Sequence, residues 1–140
     1  MRRYKNLEMS FPDGFLVFAN RRDIRRIQLD STSHQTVIPR QRAAIAIDFD
    51  FDTGFIYWTD VVLGSIQRAP VNNSRNIHTV VRGLSSPEGL AVDWVNKKLY
   101  WTDTGVDIIG VADFDGSNRM ALITTGLKNP RAIVVDPLAG

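Results

Sequence analysis

A four-residue pattern occurs twice in this chain, 43 residues apart, and it constrains the fold more than any other feature. Tyr57-Trp58-Thr59-Asp60 recurs as Tyr100-Trp101-Thr102-Asp103. The same offset places Gly83-Leu84 on Gly126-Leu127 without a gap. A repeat of this length indicates that one small structural unit is built several times along the chain.

Each copy contains short apolar runs separated by turn residues, which predict four short strands. In the second clear copy the predicted strands are residues 89–94, 98–102, 108–114 and 119–124. Asp115-Gly116 favours a tight hairpin between the last two. A four-stranded unit that recurs roughly every 40 to 45 residues is typical of a β-propeller blade.

An earlier and looser copy precedes the two clear ones. It starts at residues 16–20, and Ile45-Ala46-Ile47-Asp48 is matched to Leu90-Ala91-Val92-Asp93. The template then predicts twelve strands, namely three in residues 15–38, four in 43–81, four in 88–124 and one in 131–136.

Composition argues against catalysis and against several kinds of partner. The 140 residues carry a net charge of only +2, which does not favour nucleic acid as a partner. There are no cysteines and two histidines, so the sequence predicts no enzyme, no metal site and no cofactor. Neither a membrane span nor a signal peptide is recognised, so the chain is expected to be an internal segment if its parent protein is secreted.

Two segments that each begin with a proline, together with the two tetrads, resemble the repeats of a known family. Residues 87–94 and 130–137 each place an apolar strand after a proline. With the tetrads, they resemble the YWTD repeats, also called low-density lipoprotein receptor class B repeats, from Phe15 to Gly140. That family implies an all-β, six-bladed propeller flanked by EGF-like modules, outside the cell, in a single-pass plasma membrane receptor.

About three blades of such a propeller are expected, and the ring is not closed within this chain. The expected divisions are an N-terminal extension at residues 1–14, blade portions at 15–42, 43–86 and 87–130, and the opening strand of a further blade at 131–140.

Residues 18–25 and 48–58 look most like the Wnt co-receptor branch, the arrow-like proteins. The resemblance implies a segment that binds secreted protein or peptide ligands and packs against the remaining blades and EGF-like modules, without nucleic acid or direct membrane contact. Two alternatives share the pattern: an endocytic lipoprotein or cargo receptor, and a nidogen-like matrix protein.

The same resemblance implies three ligand-binding residues. In the Wnt co-receptor branch, ligands contact residues that follow the tetrad strand or the blade-opening proline. The matching positions are Arg21, Glu88 and Arg131. For the basic run at residues 21–26, a solvated loop is the alternative interpretation.

The remaining predicted roles are structural. The tetrad aromatic residues are expected to pack between blades, and Asp60 and Asp103 to accept backbone amide bonds. Residues 48–52 imitate the start of a calcium loop, but glycine and glutamate are not where that loop needs them. The alternation of acids with Phe49 and Phe51 instead predicts the end of a strand, with the acids facing solvent or a central channel. Asn72-Asn73-Ser74 is a glycosylation acceptor, which predicts a glycan on Asn72.

Overall fold

Antiparallel strands joined by short turns account for the regular structure. The computed structural model describes residues 14–30 and 33–138, so the predicted extension lies outside the described residues apart from Gly14. Within these ranges there are eleven strands: β1 (Phe15–Ala19), β2 (Ile24–Gln28), β3 (His34–Ile38), β4 (Ala44–Asp50), β5 (Phe55–Asp60), β6 (Ser65–Pro70), β7 (His78–Val81), β8 (Pro87–Asp93), β9 (Lys98–Asp103), β10 (Ile108–Asp113) and β11 (Met120–Ile123).

The strands form three separate sheets, each a simple meander. Their orders are β1-β2-β3, β4-β5-β6-β7 and β8-β9-β10-β11. The register repeats between sheets, since Trp58 lies opposite Gln67 on β6 and Trp101 lies opposite Gly110 on β10. The prediction of an all-β, open set of about three blades is therefore confirmed.

The sheets pack face to face, and two apolar clusters fill the spaces between them. Strand β4 contacts both β1 and β8, so the second sheet lies between the other two. One cluster joins the first two sheets and contains Ile24, Ile38, Ala44, Ile56, Trp58 and Ala69. The other joins the second and third sheets and contains Tyr57, Ile66, Val81, Leu84, Leu90, Val92, Leu99, Trp101 and Ala112.

The predicted twelfth strand is not formed. Residues 131–136 have no strand structure, and residues 137–138 form a turn. An extended segment becomes a strand only when a neighbour pairs with its backbone groups, and no described segment does so here. Residues 133–135 instead line a cavity together with Leu90 and Val92 of β8.

The predicted match between Asp48 and Asp93 is wrong by two residues. Asp50 lies opposite Phe55 at the end of β4, and Asp93 lies opposite Lys98 at the end of β8. The offset of 43 residues therefore extends through the first strand of the blade. Apolar runs of similar composition allowed two registers, and strand pairing selects one of them.

Both outer faces of the stack carry exposed apolar side chains. On β1, Leu16 is 56% exposed, and on β11 Met120 and Leu122 are 57% and 52% exposed. Sheets of a propeller normally bury such faces against the next blade. Among the described residues, no helix is long and apolar enough to cross a membrane.

Candidate ligand-binding loop edge

Several loops that connect strands lie side by side along one edge of the three sheets. They are residues 20–23, 39–43, 61–64, 82–86 and 104–107, and residues 124–131 after β11 lie beside them; with the strand ends that adjoin them, such as Glu88 in β8, we call these residues the loop edge. Backbone hydrogen bonds join neighbouring loops: Leu84 N donates to Gly64 O at 2.9 Å and Thr104 N donates to Ser86 O at 3.0 Å. The loop edge is thus a continuous surface carried by the sheets.

The Asp60 carboxylate holds two of these loops together. It is fully buried, and one oxygen accepts hydrogen bonds from the amides of Arg42 and Ala43, both at 3.0 Å. The other oxygen accepts from the amides of Val62 and Leu63, also at 3.0 Å. An ionised carboxylate is a strong acceptor for such groups, so Asp60 is a structural residue.

Asp103 repeats this arrangement one blade later. Its two oxygens accept from the amides of Ser85 and Ser86, both at 2.8 Å, and Oδ1 also accepts from Gly105 N at 3.1 Å. The side chain is 1% exposed. The final aspartate of each tetrad therefore ties the end of its strand to the loop that precedes the first strand of the same blade.

The tetrad aromatic rings point to opposite faces of their sheet. Trp58 belongs to the cluster shared with the first sheet, whereas Tyr57 belongs to the cluster shared with the third. Trp101 faces the second sheet in the same way and is 1% exposed. Tyr100, on the outer face, is only partly buried. These rings are core side chains wherever a neighbouring blade covers them.

The two tetrad threonines form different hydrogen bonds although both are buried. Thr59 Oγ1 accepts from Ala46 N at 3.0 Å, within its own sheet. Thr102 Oγ1 donates to Arg131 O at 2.5 Å. The second contact fastens the segment that follows the third sheet.

Glu88 and Arg131, two of the three predicted ligand-binding residues, lie against each other on the loop edge. Arg131 Nε is 3.4 Å from Glu88 Oε2. The approach is close because residue 89 is glycine: a Cβ there would lie 1.9 Å from Arg131 O. The Arg131 side chain remains 72% exposed, and that of Glu88 is 26% exposed.

The structure does not bring Arg21 to this pair. Arg21 lies at the boundary of the first two sheets, where its carbonyl accepts from Ala44 N at 2.8 Å. Its side chain is exposed, and no hydrogen bond or ion pair within the described residues joins it to Glu88 or Arg131. The three predicted residues therefore share the loop edge but not one contact site.

Three further exposed arginines on the loop edge were not among the predicted ligand-binding residues. Arg22 is adjacent to Arg21, while Arg40 and Arg42 lie on the neighbouring loop. Their signals in the sequence are the basic run at residues 21–26, which contains Arg22, and the separate alternation Arg40-Gln41-Arg42. The family resemblance implies ligand contacts only at positions directly after the tetrad strand and the blade-opening proline.

The acids of residues 48–52 do not all face solvent or a channel, so that prediction is wrong for Asp50. Asp50 is fully buried, and its carboxylate accepts from Thr53 Oγ1 at 2.6 Å. Asp48 Oδ2 accepts from Val92 N at 2.7 Å and joins the second and third sheets. Among the described residues, no group of three or more histidine, aspartate or glutamate side chains could hold a metal ion.

The predicted glycosylation site lies on an exposed turn. Asn72 is exposed in the connection between β6 and β7, and Ser74 follows in the same connection. This connection lies at the opposite end of the strands from the loop edge, so a glycan on Asn72 would leave the loop edge open.

We expect Asn72 to carry an N-linked glycan when a secreted form of the protein is expressed in mammalian cells, because an exposed Asn-x-Ser turn is accessible to the transferase. Mass spectrometry of the tryptic peptide before and after glycosidase treatment measures this. Asn72→Gln should remove the glycan, whereas Asn73→Gln, which keeps the acceptor sequence, should retain it. Unmodified Asn72 on the secreted protein would contradict the prediction.

Comparison with known proteins identifies the family. Residues 54–94 and 97–137 match the low-density lipoprotein receptor repeat class B, so the chain belongs to this family of propeller repeats. It is 47% identical over 88 residues to low-density lipoprotein receptor-related protein 5 of Homo sapiens, covering 61% of this chain and 5% of that protein. It is also 47% identical over 88 residues to low-density lipoprotein receptor-related protein 4 of Homo sapiens, covering 60% of this chain and 5% of that protein.

A solved propeller shows the same arrangement. A chain in the crystal structure of a nidogen/laminin complex superposes with a TM-score of 0.84 and 36% identity, covering 91% of this chain and 51% of that chain. The predicted resemblance to YWTD repeats is thus confirmed. The present chain spans about one-twentieth of the length of the two receptor-related proteins.

Proposed function

We propose that this chain is part of the extracellular propeller of a receptor related to low-density lipoprotein receptor-related proteins 4 and 5, and that its loop edge binds secreted protein or peptide ligands. Within the family, we assign this receptor to the branch of the Wnt co-receptors. The segment acts by binding rather than by catalysis. The observation that carries the proposal is the Glu88–Arg131 pair, with its largely exposed guanidinium and partly buried carboxylate, on a loop edge held by buried carboxylates.

The scaffold supports recognition because the loops need little ordering when a ligand binds. Asp60 and Asp103 fix the loops through seven backbone amide bonds. A loop held in place in the free protein loses less conformational entropy on binding, which favours affinity. Recognition by loops on a sheet scaffold is common for this reason.

The charges at the pair suit an extended peptide. Arg131 presents a largely exposed guanidinium, which can donate two parallel hydrogen bonds to a carboxylate or single bonds to backbone carbonyls. Glu88 can accept from ligand amides and attract a cation. Because Glu88 and Arg131 are 3.4 Å apart, a ligand that carries both charges would exchange this ion pair for two new ones.

A nidogen-like matrix protein is the second candidate function. The observation in its favour is the match to a chain of the nidogen/laminin complex, which covers 91% of the present chain. A matrix protein would use the propeller to hold another matrix protein rather than a signalling ligand.

The Arg131→Ala variant of a complete propeller that contains this segment should bind Wnt co-receptor ligands more weakly, by about 1 to 3 kcal/mol, because charged hydrogen bonds are lost. Its stability should change by no more than about 0.5 kcal/mol, since the side chain is largely exposed. Titration calorimetry and thermal unfolding measure the two effects. The matched control is Arg75→Ala, because Arg75 is an exposed arginine in the connection between β6 and β7, at the opposite end of the strands from the loop edge.

Loss of affinity in both variants would indicate a general charge effect and contradict the proposed site. Normal ligand binding by a folded Arg131→Ala protein would contradict it as well. A propeller that binds laminin and no Wnt co-receptor ligand would favour the matrix candidate.

A further inference from the structure

We propose that four exposed arginines on the loop edge form a binding site for a sulfated polysaccharide of the glycosaminoglycan type. They are Arg21, Arg22, Arg40 and Arg42, which we call the arginine cluster. The site lies at the boundary of the first two sheets, away from the Glu88–Arg131 pair, and it does not depend on the proposed peptide function.

Two loops that bond directly to each other carry the cluster. Gln41 N donates to Arg22 O at 2.8 Å, and Ala44 N donates to Arg21 O at 2.8 Å. These bonds place the backbone of residues 21–22 beside that of residues 40–42. Four positive charges from distant parts of the sequence are therefore concentrated on one small surface, although the whole chain has a net charge of only +2.

The second loop is held in the conformation that exposes its arginines. The buried Gln41 side chain accepts from Trp58 Nε1 at 2.9 Å and donates to Pro39 O at 3.0 Å. Its neighbours Arg40 and Arg42 are both exposed. Because the middle residue is anchored in the core, the two flanking side chains are presented to solvent before any ligand arrives.

Backbone geometry at two arginines is unusual for residues other than glycine. Arg21 has a φ of 53° and Arg40 a φ of 62°. Left-handed conformations of this kind are strained for a residue with a Cβ. The positive φ values turn the backbone at these two positions and so help to set the directions of the two loops that carry the cluster.

Two acids that lie near the arginine cluster are committed to other groups. Asp23 accepts from Arg25 Nε at 2.9 Å and from Asn20 Nδ2 at 2.9 Å, and these hydrogen bonds lower its pKa below the ordinary value. Asp60 is buried among backbone amides. Within residues 14–30 and 33–138, no ion pair neutralises a member of the arginine cluster.

The chemistry of the cluster fits sulfate groups repeated along a polymer. A guanidinium is always charged and matches the oxygen spacing of tetrahedral oxyanions through paired hydrogen bonds. Single-stranded nucleic acid is the poorer fit, because its binding sites add exposed aromatic rings that stack on bases. The loops that carry the cluster, residues 20–23 and 39–43, contain no aromatic residue.

Heparin binding by the 140-residue chain tests the proposal. We expect retention on a heparin column, and a dissociation constant that rises with salt concentration, because bound counterions are released when the charges pair. The triple variant Arg22→Gln, Arg40→Gln and Arg42→Gln should weaken binding at least tenfold and reduce the salt dependence. Arg21 is left unchanged because the family resemblance also assigns it to ligand binding.

Two controls separate the site from general charge. Arg22→Lys, Arg40→Lys and Arg42→Lys together keep the charges but lose the paired hydrogen bonds of the guanidinium, so this variant should lose less affinity than the glutamine variant but more than Arg75→Gln, which should change it less than twofold. Unsulfated hyaluronan should not compete. Unchanged heparin affinity in the folded triple glutamine variant, an equal loss in Arg75→Gln, or competition by hyaluronan would each overturn the proposal.

Discussion

Trp58→Ala is expected to lower the free energy of unfolding by about 3 to 5 kcal/mol, because a large, fully buried side chain is removed and the space between two sheets is left empty. The variant also deprives the buried Gln41 side chain of its hydrogen bond from the indole. Domains of this size are stable by only about 5 to 15 kcal/mol, so the variant should be close to unfolding at room temperature. Urea denaturation followed by circular dichroism measures the loss.

Trp101→Ala should behave similarly, since Trp101 occupies the same position one blade later and is 1% exposed. The control is Val62→Ala: Val62 is 66% exposed on the loop edge, and its truncation should change stability by about 0.5 kcal/mol or less. Trp58→Phe keeps an aromatic ring and should lose less than alanine does. A Trp58→Ala protein with wild-type stability would show that the second sheet does not depend on the tetrad tryptophan.

Asp60→Ala should cost at least about 3 kcal/mol of stability, because buried amides left without an acceptor cost about 1 to 3 kcal/mol each. Four amides lose their partner, and those of Arg42 and Ala43 lie in the more buried loop. Asp60→Asn keeps one acceptor oxygen and should lose an intermediate amount. Chemical denaturation gives the free energies, and hydrogen exchange at residues 42–43 and 62–63 shows whether the loops have opened.

Asp136→Ala provides a matched control for Asp60→Ala. Asp136 also accepts a backbone amide, from Leu138 at 3.1 Å, but it is exposed. Water can replace its carboxylate, so the variant should change stability by less than about 1 kcal/mol. Equal losses in the two aspartate variants would mean that burial of the Asp60 carboxylate does not matter, and the assigned role of the tetrad aspartate would then be wrong.

Strand pattern and family membership could be predicted from the sequence, because both depend on local repetition. The offset between the two tetrads predicts equivalent strands, and the structure shows the same register for Trp58 and Trp101. In a strand, adjacent side chains point to opposite faces, which predicts that Tyr57 and Trp58 contact different blades. These features require only residues close together in the chain.

The geometry of the candidate ligand-binding site could not be predicted from the sequence. The family resemblance implies Arg21, Glu88 and Arg131 by their places in the repeat, and a place in the repeat gives no distances between side chains. The ion pair between Glu88 and Arg131 depends on how closely residues 130–132 approach Gly89. That approach is a property of packing between segments.

Sequence by itself determined the repeat, the all-β class, the turns and the family, since each follows from side-chain order along the chain. Tertiary structure alone decided which surfaces are buried and which charges meet. Tyr57 is buried whereas the equivalent Tyr100 is only partly buried, because a described sheet covers one and not the other. Residues 131–136 lack a strand because pairing needs a neighbour. The arginine cluster exists because two distant loops bond to each other, and contacts of this kind are not encoded in any local pattern.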